Sequence, residues 1–239
     1  GSVHGTRKRS VEDFDLIRII GNGAFGKVWL VKLRESGEFY AMKIVDKQSV
    51  IEQNLIEHTI AERDIMLMCN HPFIITLYWT FQTEKKLYFI LDYVAGGSLF
   101  THLCNSADTY LSLEDTLFYA SEIVLGLQEL HSKHIVYRDL KPENILISQD
   151  GHLLLTDFGL SHHLGSSTGK VHSFSGTALY ISPEVLLDKE HDKCVDWWSL
   201  GVMLHLLLTG IPPFWSKNRK ELFEMIKEGE ININNHLLT

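Results

Sequence analysis

Cysteine is scarce in this chain of 239 residues. Three occur, Cys69, Cys104 and Cys194, at wide spacing and without a C-x-x-C pair. An odd number of isolated thiols argues against a disulfide framework and a zinc knuckle, and it is typical of a reducing compartment. We therefore expect a cytoplasmic or nuclear protein.

Long hydrophobic runs are also missing. The longest apolar stretch, 200–208, is shorter than a membrane span needs and contains His205. The first residues lack the charged, apolar and small-residue regions of a signal peptide. We expect no association with a membrane.

Basic charge is in the minority. The chain has 22 Lys and Arg against 30 Asp and Glu, a net charge of −8, which disfavours a general nucleic-acid surface. We expect no nucleic-acid partner. The composition, 45% apolar and 22% charged, is that of a globular protein, and at about 150 residues per domain the length predicts one to two compact units.

The N-terminal part of the chain is predicted to form a sheet. Residues 1–13 are basic and show no periodicity, which predicts a disordered tail. A helical pattern at 54–69 ends at a His-Pro pair. Alternation of apolar and polar residues predicts strands at 14–20, 28–33, 39–45 and 87–93. We expect a mostly antiparallel sheet with one helix.

The C-terminal part is predicted to be mainly helical. Ser112 and Asp115 resemble a capping box at the start of a helix. Residues 195–209 are apolar on all sides, which predicts a buried helix, and Gly210 ends it. The change in pattern places a domain junction at 91–97.

Glycines at 21, 23 and 26 form a G-x-G-x-x-G motif. A dinucleotide fold needs a helix directly after these glycines, whereas residues 28–31 favour a strand. A glycine turn that folds over a triphosphate between two antiparallel strands fits better. An ordinary glycine-rich hairpin is the alternative if the motif is taken alone.

Four further motifs follow the glycines along the chain. They are Ala41-Met42-Lys43, Tyr137-Arg138-Asp139-Leu140-Lys141-Pro142-Glu143-Asn144, Asp157-Phe158-Gly159 and Ser182-Pro183-Glu184. Their order and spacing are those of the protein-kinase signature set. Over residues 14–239 the chain resembles a eukaryotic Ser/Thr protein kinase.

The resemblance implies an α+β, two-lobed fold. The small antiparallel-sheet N-lobe would cover 14–91, the hinge 92–97 and the mainly helical C-lobe 98–239, with further C-lobe helices expected beyond this point. Tyr137 in place of the usual His, together with the sequence of 195–201, is similar to the AGC group. Residues 81–84, 174–176 and 218–239 resemble the ribosomal-protein and the mitogen- and stress-activated kinases.

The implied reaction is transfer of the γ-phosphate of ATP, with Mg²⁺, to Ser or Thr of protein substrates. Asp139 would accept or orient the proton of the substrate hydroxyl, and Lys141 would stabilise the transferring phosphate. Asn144 and Asp157 would be the Mg²⁺ ligands, as hard oxygen donors.

The resemblance also assigns the nucleotide site. Lys43 would contact the α- and β-phosphates and pair with Glu62 on the lone N-lobe helix, although helix carboxylates are usually solvated. The other nucleotide residues would be Ile20, Gly21, Asn22, Gly23, Ala24, Phe25, Gly26, Val28, Ala41, Leu91, Asp92, Val94, Leu146 and Thr156. Met66, Leu77, Tyr137 and Phe158 would stack as a spine, although any apolar member of these sets is more often plain core.

Ser173 aligns with the activation-loop phosphosite of AGC kinases. An upstream activating kinase is therefore an expected partner, and the resemblance brings Arg138, His58 and His162 to the phosphate. For substrates, Glu143, Thr177 and Glu224 are the expected contacts, with a preference for upstream Arg or Lys. Ser98 replaces a Glu that often strengthens this preference. We expect a monomer.

The chain departs from the family pattern at three places. Ser182 replaces the usual Ala, with little expected consequence; Ala178-Leu179 replaces Pro-Glu; and the usual arginine partner of Glu184 would lie beyond residue 239. An unpaired Glu184 raises an alternative function, a catalytically weak scaffold that binds ATP or another kinase. The intact set of Lys43, Asp139, Asn144 and Asp157 argues against it. A nicotinamide-dependent oxidoreductase is disfavoured by the strand after the glycines.

Overall fold

The computed structural model describes residues 8–23, 26–106, 109–166, 169–171 and 173–231. The chain divides into two compact units. The first comprises Gly1–Asn70 and Ile74–Ala95, and the second comprises His71–Phe73 and Gly96–Thr239. The segment 71–73 joins the second unit because the Phe73 carbonyl accepts a hydrogen bond from the Leu155 N–H at 2.9 Å.

The first unit is built on a five-stranded antiparallel sheet. Its elements are β1 Phe14–Gly23, β2 Gly26–Leu33, β3 Phe39–Asp46, α1 Lys47–Glu52, α2 Ile56–Met68, β4 Leu77–Gln82 and β5 Lys86–Asp92. The strands lie in the sheet in the order β1-β2-β3-β5-β4. The predicted strands and the helix at 54–69 are confirmed. The prediction of a single helix is wrong: the Asp46 carboxylate accepts the Ser49 N–H and so caps the additional helix α1.

Aromatic and apolar side chains from the sheet form one core cluster of this unit. Its buried members are Phe14, Val31, Leu33, Tyr40, Met42, Trp79, Tyr88 and Ile90. The predicted disorder is wrong for residues 8–13, because Val11–Asp13 form a 3₁₀ turn capped by Ser10. Arg9 anchors this segment by pairing with Glu35 and lying 5.3 Å from the centroid of the Trp79 ring.

The second unit is mainly helical. Its elements are α3 Leu99–Asn105, α4 Leu113–Ser132, β6 Ile135–Val136, β7 Ile145–Ile147, β8 Leu153–Leu155, β9 His162–His163, α5 Pro183–Leu186, α6 Cys194–Thr209 and α7 Arg219–Glu228. Ser112 caps α4 by accepting the Asp115 N–H at 3.0 Å, and Gly210 ends α6 at a φ of 76°. Both predicted helix boundaries are confirmed.

Helix α6 packs much of its surface into this unit. Its buried residues include Val195, Asp196, Met203 and Leu207, although Trp197 is 37% exposed. One core cluster joins α6 to α5 and α7 through Val136, Ile181, Val185, Val195, Phe214, Leu222 and Ile226. No helix within the described part of the chain is long and apolar enough to cross a bilayer.

Candidate active site

The glycine motif lies at the turn from β1 into β2. Gly21 pairs with Val28 and Gly23 with Gly26, so a strand follows the glycines, as predicted. This topology contradicts a dinucleotide fold, which requires a helix at that point.

Gly26 is fixed by close contact between strands. A Cβ at this position would lie 1.7 Å from the carbonyl oxygen of Ile44 on β3, so no side chain fits. Asn22 is exposed in the same hairpin. The predicted nucleotide residues Ala24 and Phe25 lie outside the described residues.

Lys43 and Glu62 come together within the first unit. Lys43 lies on β3 between Val28 of β2 and Phe89 of β5, and its Nζ is 2.5 Å from Oε1 of Glu62 on α2. Glu62 is 7% exposed, whereas a solvated helix carboxylate would be open to water. A buried carboxylate needs such a partner, and the pair holds the ammonium in one place.

The other predicted nucleotide residues of this unit differ in exposure. Ala41 and Leu91 are buried and pair across β3 and β5. The Asp92 carboxylate accepts hydrogen bonds from the Thr76 N–H and the Tyr78 hydroxyl, each at 2.8 Å, so this side chain is committed to structure. Val28 and Val94 are half-buried and Ile20 is 36% exposed.

In the second unit, Asp196 organises the segment that carries the Arg-Asp motif. It is fully buried and accepts the N–H groups of Tyr137 at 2.9 Å and Arg138 at 2.8 Å. Its Oδ2 also lies 2.7 Å from His131 Nε2. Arg138 has a φ of 66°, an unfavourable value for a residue with a side chain, and the Asp196 contact helps to hold it there.

Asp139 is the centre of a closed side-chain network. Its Oδ1 accepts a hydrogen bond from the Thr177 hydroxyl at 2.9 Å, and its Oδ2 accepts from Lys141 Nζ at 2.7 Å and Asn144 Nδ2 at 2.8 Å. Lys141 also donates to the Thr177 hydroxyl at 2.9 Å. The carboxylate is 93% buried and oriented by three donors, which is suitable for accepting a proton at a fixed atom.

Asn144 and Asp157 lie at the same end of the β7–β8 hairpin. β7 begins directly after Asn144 and β8 ends two residues before Asp157, and the antiparallel pair Ile145–Leu155 joins these ends. Leu146 and Thr156, two of the predicted nucleotide residues, are half-buried on this hairpin. Phe158 is fully buried, with its ring edge-on to Tyr137 at 5.4 Å, while Met66 and Leu77 are buried in the first unit.

The donor set of Asn144 and Asp157 fits Mg²⁺. Asn144 Nδ2 donates to the backbone oxygen and to Oδ2 of Asp139, which leaves the amide oxygen of Asn144 for a cation. Asp157 is exposed and its carboxylate accepts only a long contact, 3.4 Å, from the Gly159 N–H within the described residues. Two hard oxygen donors suit an ion that takes its other ligands from phosphates and water. No cluster of three or more His, Cys, Asp or Glu suited to a metal occurs in the described part of the chain.

Ser173 contacts one of the cations expected around it. Arg138 Nη1 donates to the Ser173 hydroxyl at 2.6 Å, and Arg138 Nε donates to the Leu160 carbonyl at 2.7 Å. Burial lowers the pKa of Arg138 from its ordinary value. His162 is exposed on β9, and His58 is exposed on α2 of the first unit.

A comparison with known families gives one match that covers nearly the whole chain. Residues 14–237 match the family described as the protein kinase domain. The chain belongs to the protein kinase family. The α+β kinase fold, with a five-stranded N-lobe sheet and a helical C-lobe, is thereby confirmed.

Relatives of this kinase domain confirm the AGC resemblance. It is 46% identical over 222 residues to the RAC family serine/threonine-protein kinase homolog of Dictyostelium discoideum, covering 92% of this chain and 50% of that protein. It is 44% identical to human ribosomal protein S6 kinase alpha-1, covering 98% of this chain and 32% of the relative. It is 43% identical to serine/threonine-protein kinase sgk-1 of Caenorhabditis elegans, covering 91% of this chain and 47% of that protein. The chain thus spans half or less of these relatives, and their similar identities do not single out one subfamily.

The predicted substrate residues of the kinase domain lie on separate elements. Glu143 is exposed in the 3₁₀ turn Pro142–Asn144. Glu224 is exposed on α7, and its Oε1 lies 2.9 Å from Lys227 Nζ. Ser98 caps α3 by accepting the Thr101 N–H at 3.2 Å, which is a structural use of the residue that replaces Glu.

The departures from the kinase pattern have structural counterparts. Ala178 and Leu179 pack against the core cluster of the C-lobe, where apolar side chains are favourable. Ser182 is 2% exposed, and its hydroxyl has no hydrogen-bond partner within the described residues. Glu184 is half-buried and forms no ion pair within that same part of the chain.

Sequence reasoning missed His131, which contacts Asp196 from the C-terminal end of α4. The two residues are 65 positions apart, so no local motif links them. The available signal was a polar residue, His131, in the last turn of a helix whose apolar spacing predicts that this face is buried.

Proposed function

We propose that this kinase domain transfers the γ-phosphate of Mg-ATP to serine or threonine hydroxyls of protein substrates, working as a monomer. The observation that carries the proposal is the geometry at Asp139. Its Oδ1 accepts a hydrogen bond from the hydroxyl of Thr177 at 2.9 Å. A carboxylate atom that binds one hydroxyl in this way is suited to orient a substrate hydroxyl for attack.

The neighbours of Asp139 complete this chemistry. Lys141 Nζ donates to both Asp139 and Thr177, so a positive charge is fixed beside the acceptor atom. Such a preorganised charge stabilises negative charge that develops on transferring oxygens. Asn144 Nδ2 donates to the same oxygen, Oδ2, and helps to hold the carboxylate in one orientation.

Two sets of residues support the use of Mg-ATP. On the first unit, Glu62 fixes the position of Lys43 Nζ, whose positive charge suits the binding of phosphate oxygens. On the second, Asn144 and Asp157 offer the oxygen donors described above. When bound, Mg-ATP supplies the phosphoryl group and neutralises part of its charge.

Phosphorylation of Ser173 by an upstream kinase is the proposed activating step. The Ser173 hydroxyl already lies 2.6 Å from the guanidinium of Arg138, and Arg138 directly precedes Asp139. A phosphate at this hydroxyl would gain charge-assisted hydrogen bonds and tie the activation loop to the catalytic segment. Ser173→Ala is expected to lower activity strongly.

Substrates with Arg or Lys upstream of the target are the proposed class. Support comes from the exposed carboxylates of Glu143 and Glu224. The Glu224 carboxylate is shared with Lys227, so a basic substrate must compete with this exposed ion pair, which is a weak one.

A positional peptide library with labelled ATP tests the proposal. We expect phosphate on Ser and Thr, with selection for upstream Arg or Lys that weakens in Glu143→Ala and Glu224→Ala. Selection for acidic or proline-directed peptides would contradict the substrate class. Measurable Mg-ATP binding with no transfer to any peptide would favour the scaffold alternative.

A further inference from the structure

An acid–base pair that the proposed reaction does not use lies on the second unit. Glu122, in the middle of α4, is 3% exposed. Its Oε1 lies 2.5 Å from Nδ1 of His152, whose side chain is 49% exposed. The His152 ring also contacts two aromatic rings, with its centroid 6.3 Å from that of Phe73 and 5.8 Å from that of Phe118.

The same carboxylate binds the backbone of β8. Oε2 of Glu122 accepts the Leu153 N–H at 2.8 Å, at the first residue of the strand. At the last residue, the Leu155 N–H donates to the Phe73 carbonyl at 2.9 Å. Gly126, one turn after Glu122, allows this approach, because a Cβ there would lie 2.9 Å from Leu155 Cδ1.

The strand leads directly to a strained residue. Asp157 follows Leu155 by two positions and has a φ of 59°, which a side-chain-bearing residue adopts only when its surroundings hold it. The Thr156 N–H is bound to the Asn144 carbonyl at 3.0 Å, so the hairpin also couples Asp157 to Asn144. A shift of β8 would therefore displace both proposed Mg²⁺ ligands relative to each other.

We propose that Glu122 and His152 are positioning residues. They fix β8 against α4 and thereby hold the backbone of Asp157 in its observed conformation. The physical reason is that a carboxylate buried this deeply must keep its partners. With His152 charged, the carboxylate has one ionic and one backbone partner. With His152 neutral, it keeps only neutral donors and holds β8 less firmly. The link to Mg²⁺ rests on the proposed function.

The charges around His152 give the pair a pH dependence of known sign. The titratable groups nearby are Glu122 and Tyr119 on α4, Asp150 in the β7–β8 turn and, beyond the Phe73 ring, His71. The hydrogen bond to Glu122, followed by its charge, raises the pKa of His152 above its ordinary value. A raised pKa means that the stabilisation is complete below about pH 6.5 and is lost as the pH rises through the higher value of the folded state.

Two variants outside the proposed catalytic and binding residues separate the parts of the pair. Glu122→Gln keeps an acceptor for the Leu153 N–H and removes the charge. His152→Asn keeps a donor for Glu122 and cannot be protonated. An NMR titration of the ring is expected to give a His152 midpoint above the ordinary value of about 6.5 in the native chain and a lower midpoint in Glu122→Gln. A midpoint at or below 6.5 in the native chain would overturn the proposal.

Amide hydrogen exchange tests the positioning without requiring activity. At pH 6, the amides of 153–158 are expected to exchange several-fold more slowly in the native chain than in His152→Asn, and at pH 9 the two should agree. An equal difference at both pH values would show a merely structural side chain and overturn the proposal.

The last experiment tests whether the Glu122–His152 pair affects the use of Mg²⁺. The Mg²⁺ concentration that half-saturates phosphate transfer is expected to rise several-fold between pH 6 and pH 9 in the native chain, beyond any rise in His152→Asn. An identical rise in both would overturn the link to Asp157. A native chain that transfers no phosphate would refute the proposed function. In that case the titration and the hydrogen exchange would still test whether Glu122 and His152 position β8.

Discussion

Removal of the Asp196 carboxylate is predicted to release the catalytic segment. Asp196 is fully buried and accepts the N–H groups of Tyr137 and Arg138, and it contacts His131. In Asp196→Ala, two buried N–H groups lose their acceptor, at about 1–3 kcal/mol each. The two groups together account for about 2–6 kcal/mol. Breaking a buried ion pair by removing one partner costs about 3–5 kcal/mol, which lies within that range. We therefore predict a loss of about 3–5 kcal/mol, which is large against a total stability of about 5–15 kcal/mol.

Urea unfolding measures this loss, and exchange of the Tyr137 and Arg138 amides assigns it to the segment. Asp196→Asn retains one acceptor oxygen and should lose about half as much. Asp150→Ala is the matched control: Asp150 is exposed and hydrogen-bonds Ser148, so its removal should change stability by less than about 0.5 kcal/mol. A loss below about 1 kcal/mol in Asp196→Ala, with both amides still protected, would refute the reasoning.

Two further substitutions test other parts of the structure. Gly26→Ala should destabilise the chain by at least about 1–3 kcal/mol. The new Cβ would lie 1.7 Å from the carbonyl oxygen of Ile44, so β2 would have to move. An unchanged thermal unfolding midpoint would contradict this prediction. Thr177→Val keeps the side-chain shape and removes a hydrogen bond to the Asp139 carboxylate, which is worth about 1.5–3 kcal/mol. We therefore expect kcat to fall about tenfold to 100-fold. Transfer by Thr177→Val at the native rate would count against a role for this network.

Local chemistry made much of the fold predictable. The alternation of apolar and polar residues located four strands of the first unit. Ser112 and Gly210 indicated where α4 begins and where α6 ends. The helix α1 was not predicted, because six residues are too few for a periodic pattern and the capping Asp46 ends a strand. The strand β4 was also missed: its run of large aromatic residues, including Trp79, shows little polar alternation.

The candidate site was predictable to the extent that it consists of contiguous motifs. The Asp139 network draws three members from one stretch of six residues, and only Thr177 comes from elsewhere. The contact between His131 and Asp196 left no local signal in the sequence, since the two residues are 65 positions apart. The helix α4 appears as an apolar pattern, yet the buried Glu122 within it is recognisable only once β8 packs beside it.

Phosphate transfer by Asp139→Asn tests the central claim most directly. The amide keeps the size of the side chain and removes the charge that accepts the hydroxyl hydrogen. We predict that transfer from labelled ATP to a basic Ser peptide falls by about 10²–10⁴-fold, while Mg-ATP binding, measured separately, stays close to that of the native chain. Transfer by Asp139→Asn at the native rate would contradict the assignment of Asp139 as the residue that orients the substrate hydroxyl.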